Sequence, residues 1–161
     1  TPALLERLEA MDVRRRRLTL HVGEGTFRPV TAETLEEHRM HAEWCAIPPP
    51  VLAALGERRR TGRPRVIAVG TTCVRAVESL PEDPPDPADG PWTRETDLMI
   101  GPGWRFRHLD GMLTNFHLPR STLIALVAAM LGLDRTLALY RRAVAEGYRF
   151  YSYGDAMLIL P

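Results

Sequence analysis

The sequence predicts an α/β fold, and three observations carry that prediction. Short strand-like runs alternate with helix-like segments along most of the chain. The run "RVIAVG" at Arg65 to Gly70 is apolar and β-branched, as in a buried strand of a parallel sheet. Several runs end on glycine and polar residues just before a helix begins, where open α/β sheets bind ligands. At 161 residues the chain is long enough to bury a core, and it shows neither an internal repeat nor a linker that would split it. It is therefore read as one α/β domain, residues 1–161.

The elements follow in order. Leu4, Leu5 and Leu8 have helical spacing, and Pro2 suits a first turn. Leu18 to Val22 alternates and runs into Gly23 and Gly25, a strand followed by a glycine loop. Thr31 is placed to cap a helix through about Glu43, with Glu33, Glu36 and Glu37 near its positive end. Three prolines, Pro48 to Pro50, lead into a helix over Val51 to Arg60 that Gly62 closes. After the 65–70 strand, Thr71 or Thr72 caps a helix ending near Leu80. Pro81 to Pro91 is a loop by its Pro, Asp and Gly content. Asp97 to Ile100 and Leu109 to Asn115 read as strands. Ser121 to Leu131 is a helix apolar all round, hence core. Asp134 caps a last helix to about Glu146, with Leu137, Tyr140 and Val144 on one face. An aromatic, glycine-broken tail closes the chain.

Composition excludes several chemistries. All 21 basic residues are Arg, so a lysine Schiff base, a P-loop lysine and a lysine general base are ruled out within this chain. The net charge of +1 gives no general attraction to nucleic acid. Two local clusters, Arg14 to Arg17 and Arg58 to Arg60 with Arg63 and Arg65, suit phosphate contacts or simply a solvated face. Cys45 and Cys73 are too few for a disulfide framework, and no signal peptide is visible. No apolar run reaches the roughly 18 residues of a membrane span. A reduced cytoplasmic protein without membrane contact is the expectation. No metal is expected either. His38 and His41 stand three apart, but zinc sites show tighter spacing or a Glu between the two His. No nucleophile-elbow sequence accompanies a Ser or Cys.

Four segments place polar residues and glycines at strand ends. In "TLHVGEGTF", His21 and Thr26 flank Gly23 and Gly25, which let backbone N–H groups approach a ligand; hairpins use such glycines as often. In "GTTCVRAVES", Thr71 and Thr72 open a helix whose free N–H groups favour a carboxylate or phosphate, or merely cap it. Arg75 and Glu78, three apart, are positioned to pair with each other. In "TNFHLPRST", Asn115 is the sole Asn of a chain without Gln, and with His117, Ser121 and Thr122 it marks a polar pocket or a turn. In "YSYGDAM", Tyr151, Tyr153 and Asp155 surround Gly154, a set suited to a purine or to a domain seam.

The stretches "LTLHVGEGTFRPV", "HRMHAEW", "RVIAVGTTCVRAVES", "TNFHLPRSTLIALVAA" and "YRFYSYGDAM" together resemble the C-terminal half of the S-adenosylmethionine:tRNA ribosyltransferase-isomerase family. The resemblance covers nearly the whole chain. It implies the C-terminal portion of the family's α/β core domain, with the inserted β-barrel domain outside this chain. It implies a cytoplasmic enzyme, monomeric at full length. Such an enzyme transfers and isomerises the ribosyl part of S-adenosylmethionine onto 7-aminomethyl-7-deazaguanine at the tRNA wobble position. Epoxyqueuosine forms, and adenine and methionine leave. S-adenosylmethionine is the ribosyl-donor substrate, and no cofactor is implied. The sulfonium acidifies the adjacent carbon and is a good leaving group, so the protein must supply a general base and a donor for adenine.

On the matching positions, His117 with Asn115 is the first choice for acid–base work, because unperturbed imidazole titrates near neutrality. His21 is second and His41 third. Thr71, Thr72 and Arg75 would hold the methionine carboxylate or a phosphate. Tyr153, Gly154 and Asp155 would bind the base or adenine, with Gly23, Gly25, Thr26, Ser121 and Thr122 lining the site. Two positions depart from the family: Cys73 stands where Ser is common, and Cys45 near where Tyr is. The alternative reading is a remnant or subunit that binds S-adenosylmethionine or RNA without turnover.

Overall fold

The computed structural model describes residues 1–23, 34–35 and 37–160. Helix α1 (Pro2–Ala10) starts on Thr1, whose hydroxyl accepts from the Leu4 amide, and none of its residues is buried. Its leucines therefore do not join the core. Strand β1 (Thr19–Leu20) pairs antiparallel with β2 (Glu43–Ile47), which pairs antiparallel with β4 (Trp92–Thr96). The second sheet is mixed: β3 (Ile67–Val69) is parallel to β5 (Gly111–Asn115), and β5 is antiparallel to β6 (Ala156–Ile159). Helices α2 (Pro49–Thr61), α3 (Thr71–Glu78), α4 (Thr122–Leu131) and α5 (Leu133–Ala145) complete the α/β fold.

The core lies where one face of each sheet meets the helices. From β2 comes Ile47, from β5 Met112, from β6 Met157 and Ile159. They pack with Leu52 and Leu55 of α2, Val74 and Val77 of α3, and Leu126 and Val127 of α4. Each such side chain contributes about 1.5–3 kcal/mol of transfer free energy when fully buried. Helix α4 is buried on most sides, as its sequence requires, and Ser121 caps it by accepting from the Ile124 amide. No single helix among the described residues is long and apolar enough to cross a membrane. Only α4 and α5 together reach that length, and they bend by 116° at their junction.

Several sequence expectations need correction. The segment reaching Glu43 is not the end of a helix, since Glu43 opens β2; Thr31 lies outside the described residues. The governing signal is the period of two in "EWCAI", which buries Glu43, Cys45 and Ile47 and exposes Trp44. Asp97 to Ile100 is not a strand; the strand lies earlier, at Trp92–Thr96. It was hard to read because Thr93, Arg94 and Glu95 are all exposed on an edge strand. Helix α3 is capped by Gly70 at φ 91°, not by a threonine side chain, and α5 starts after Gly132 rather than at Asp134. The buried face of α5 is Thr136, Tyr140 and Ala143, which leaves Leu137 and Val144 exposed. In β3 only Ala68 is buried; Ile67 and Val69 lie on the sheet's open face with Leu113 and Leu158.

Candidate functional site

Because β3 and β5 run parallel, their C-terminal ends share one edge of the sheet. Gly70, Thr71 and Thr72 leave β3 there, and Asn115, Phe116 and His117 leave β5. The Gly70 amide donates to the Leu113 carbonyl at 2.8 Å, tying the two exits together. Strand β6 runs the other way, so its first residue pairs with the last of β5, Ala156 with Asn115. Asp155 and Gly154 arrive at the same edge by that register. The Asn115 side-chain amide donates to the Asp155 carbonyl at 3.2 Å. Three of the four polar segments are thus gathered by strand direction alone.

His117 is only 7% exposed. Its Nε2 lies 2.8 Å from Thr114 Oγ1, and its backbone N–H donates to the Tyr140 hydroxyl at 3.1 Å. Burial pushes its pKa down to about 4, so the imidazole is neutral at neutral pH. The ordinary imidazole value expected from sequence does not apply at this position. Its neighbour in sequence, Phe116, packs against Tyr140, Tyr148 and Phe150 at centroid distances of 5.4–5.6 Å. Tyr151 has φ 70°, and its amide donates to the Phe116 carbonyl. Asp155 accepts from the backbone and guanidinium of Arg149, and the side-chain bond to Arg149 holds its carboxyl below the usual range. Ser121 Oγ donates to the Leu118 carbonyl while capping α4, and Thr122 is buried in the first turn. Thr71 is buried and Thr72 half-buried.

The fourth segment belongs to the other sheet. Glu43 Oε1 accepts from the Gly23 amide at 2.8 Å, and Glu43 Oε2 forms an ion pair with Arg75 Nη1. Arg75 Nε also donates to the Leu98 carbonyl at 3.0 Å. Arg75 is therefore an internal tie between α3, β2 and the glycine segment, deeply buried at 2% exposure. It does not pair with Glu78 as the spacing implied. Glu78 is fully buried and accepts from the Arg107 and His108 amides at 3.0 Å and from Trp104 Nε1 at 3.3 Å. His21 and His41 are exposed, His21 following β1 and His41 preceding β2 of the first sheet, and His38 and His41 are not on a helix. Gly25 and Thr26 lie outside the described residues, and Tyr153 falls in a 3-10 turn, Tyr151–Tyr153. Among the described residues no group of three or more His, Cys, Asp or Glu side chains is arranged to hold a metal ion.

Sequence reading missed Glu43, Thr114 and Tyr140. The signal for Glu43 was the period-two pattern that puts a carboxylate on the inward face of β2. For Thr114 it was the step of three to His117. Tyr140 carries no signal beyond its helical spacing with Leu137 and Val144.

A model of the family described as "Queuosine biosynthesis protein" matches residues 1–159. The chain belongs to that family. Similar curated relatives are named S-adenosylmethionine:tRNA ribosyltransferase-isomerase. One from Thermus thermophilus is 58% identical over 160 residues, covering 99% of this chain and 45% of the relative. One from Ralstonia nicotianae is 54% identical over 157 residues, covering 98% and 43%. A crystal structure titled as S-adenosylmethionine tRNA ribosyltransferase from Thermotoga maritima matches with TM-score 0.79 and 41% identity, over 99% of this chain and 50% of that one. The chain thus spans about half the length of the relatives it matches.

Proposed function

We propose that this chain carries part of the active centre of an S-adenosylmethionine:tRNA ribosyltransferase-isomerase. In that reading, the ribosyl part of S-adenosylmethionine is moved onto 7-aminomethyl-7-deazaguanine at the tRNA wobble position and isomerised to epoxyqueuosine. The observation that carries the reading is the convergence of Gly70 to Thr72, Asn115 to His117 and Asp155 at one sheet edge. Neutral His117 has the lone pair a general base needs, and Thr114 fixes its ring orientation. Asn115 offers a donor and an acceptor beside it. The backbone N–H groups at the start of α3, with Thr71 and Thr72, favour the methionine carboxylate. Arg75, in the last turn of that helix, ties it to β2 from inside rather than touching substrate. Tyr153 and Asp155 remain the proposed partners of adenine or the base.

A second reading is favoured by the share of the relatives that the chain spans, 43–45% in the two above. It is binding of S-adenosylmethionine or RNA without turnover by these 161 residues alone. Adenine release from S-adenosylmethionine, with tRNA bearing the aminomethyl-deazaguanine base, separates the two. Release by the isolated chain supports a self-sufficient centre. Release only by a longer family member supports the binding reading for this chain. Release by neither, with folded protein and competent tRNA, would sink the enzymatic reading.

A further inference from the structure

The face of the first sheet turned away from the core carries a row of side chains that the site above does not use. The β1–β2 register sets Thr19 opposite Ala46 and Leu20 opposite Cys45, and the His21 amide continues it by donating to the Trp44 carbonyl at 2.8 Å. The β2–β4 register sets Trp44 opposite Glu95. His21, Trp44 and Glu95 therefore form one cross-strand row, and all three are exposed. Trp44 is 39% exposed, and its ring lies 4.8 Å from that of His21 at a tilt of 44°. An indole 39% exposed on a sheet surface offers part of its ring for stacking beside His21, and Glu95 opposite it is an acceptor for ring or amino N–H groups.

The row is also held in place. Residues alternate along β2, so Trp44 points outward while Glu43 and Cys45 point in. Glu43 is anchored to Arg75 and holds the Gly23 amide, two residues beyond His21. The inward carboxylate thus fixes the strand register that sets His21 against Trp44. A rigid aromatic on an open sheet face is how single-stranded RNA bases are commonly received, with stacking on the ring and hydrogen bonding at its rim.

From this juxtaposition we propose that the His21–Trp44–Glu95 row is a stacking seat for an unpaired nucleobase of the RNA substrate. The inference rests on the tRNA reading above and adds a contact point to it. The same ring chemistry is present in the adenine of S-adenosylmethionine. An open sheet face suits a polymer that brings its own backbone contacts, whereas a small ligand is better held in a cleft.

The test uses the whole chain with a fluorescently labelled RNA hairpin carrying a tRNA anticodon loop, a fully paired RNA duplex, and adenosine. Anisotropy reports binding of the labelled RNAs, and the tryptophan quenching present in wild type but lost in Trp44→Ala reports contact at Trp44 rather than at Trp92 or Trp104. The wild type is expected to bind the hairpin with quenching and the duplex without it. Trp44→Ala should weaken hairpin binding by roughly 5- to 150-fold, and Trp44→Phe should keep most of it. Both changes fall at an exposed position, and circular dichroism verifies that the fold is intact. Equal hairpin affinity in wild type and Trp44→Ala would overturn the seat, as would failure of the wild type to bind the hairpin. Quenching by adenosine at the hairpin's concentration, lost in Trp44→Ala, would move the seat to the adenine of the donor and overturn the RNA assignment. Adenine release is followed in parallel. Its absence from this chain and from a longer family member, with loop-specific binding intact, would sink the enzymatic reading and leave the seat standing.

Discussion

Glu43 and Arg75, each 2% exposed, form an ion pair across the interior that ties β2 to α3. The pair is 32 residues apart in sequence, and Glu43's other oxygen holds the Gly23 amide. Removing one partner takes the counter-ion from a buried charge that water does not reach. Arg75→Met is therefore expected to cost about 3–5 kcal/mol, read from urea denaturation. Glu43→Leu combined with Arg75→Met should cost clearly less than the two single changes summed, because no buried charge then loses its counter-ion. Additive losses would show that the two residues do not act as a pair.

His117 makes stability depend on pH in a defined direction. Its pKa is lowered from an ordinary 6.5 to about 4 by burial, so the unfolded chain binds a proton more readily than the folded one between those values. Stability from this group is complete above pH 6.5 and is lost as pH falls toward 4, by roughly 3 kcal/mol at most. Urea midpoints measured from pH 7 to 4.5 for wild type and His117→Asn check this, and the asparagine variant should lose less on acidification. In an NMR titration the His117 ring signals should stay flat from pH 8 to 5.5. A transition near 6.5 would mean that the imidazole is hydrated and the burial argument is wrong.

Much of this site was legible in the sequence because its parts are local. The glycine at the end of β3, the lone Asn115 and the His117 that follows are strand-end features, and a parallel sheet must bring strand ends together. What was not legible depends on long-range partners. Spacing alone made Arg75 and Glu78 a helical pair, yet each is claimed by a segment more than 20 residues away, Arg75 by Glu43 and Glu78 by Trp104 to His108. The depressed pKa of His117 is likewise set by burial in the folded chain, which no local spacing announces. In the fold, α4 was plain because apolar residues surround it. Strand β4 was missed because an edge strand with three exposed polar residues has no hydrophobic period.

Glu78 is expected to matter more for folding than its place near a helix end implies. Fully buried, it is the acceptor for the Arg107 and His108 amides and for the Trp104 indole N–H. Glu78→Ala strands those donors, each worth about 1–3 kcal/mol when left unsatisfied. Glu78→Gln keeps one acceptor oxygen and should retain part of that stability. Denaturant unfolding ranks the two, and Trp104 fluorescence should red-shift as the segment loosens in Glu78→Ala. Equal stability of wild type and Glu78→Ala would show that solvent satisfies these donors.

Gly111 tests how closely β5 approaches its neighbours. A Cβ there would stand 2.5 Å from the Ile159 carbonyl oxygen, 2.9 Å from Leu160 Cδ2 and 3.1 Å from Ile67 Cδ1. The first contact is backbone, so it is relieved only by moving β6 away from β5. That movement stretches the ladder in which Met112 pairs with Ile159 and Asn115 with Ala156, the register that brings Asp155 to Asn115. Gly111→Ala is expected to cost about 1–3 kcal/mol, as overpacking of a tight interior does. At about 2–4 °C per kcal/mol for a chain of this size, the melting temperature should drop by several degrees. The same change should speed hydrogen exchange at the β5–β6 amides while sparing the β2–β4 ladder. An unchanged melting temperature would mean that β6 is not held against Gly111, and the route by which Asp155 reaches the site edge would need another cause.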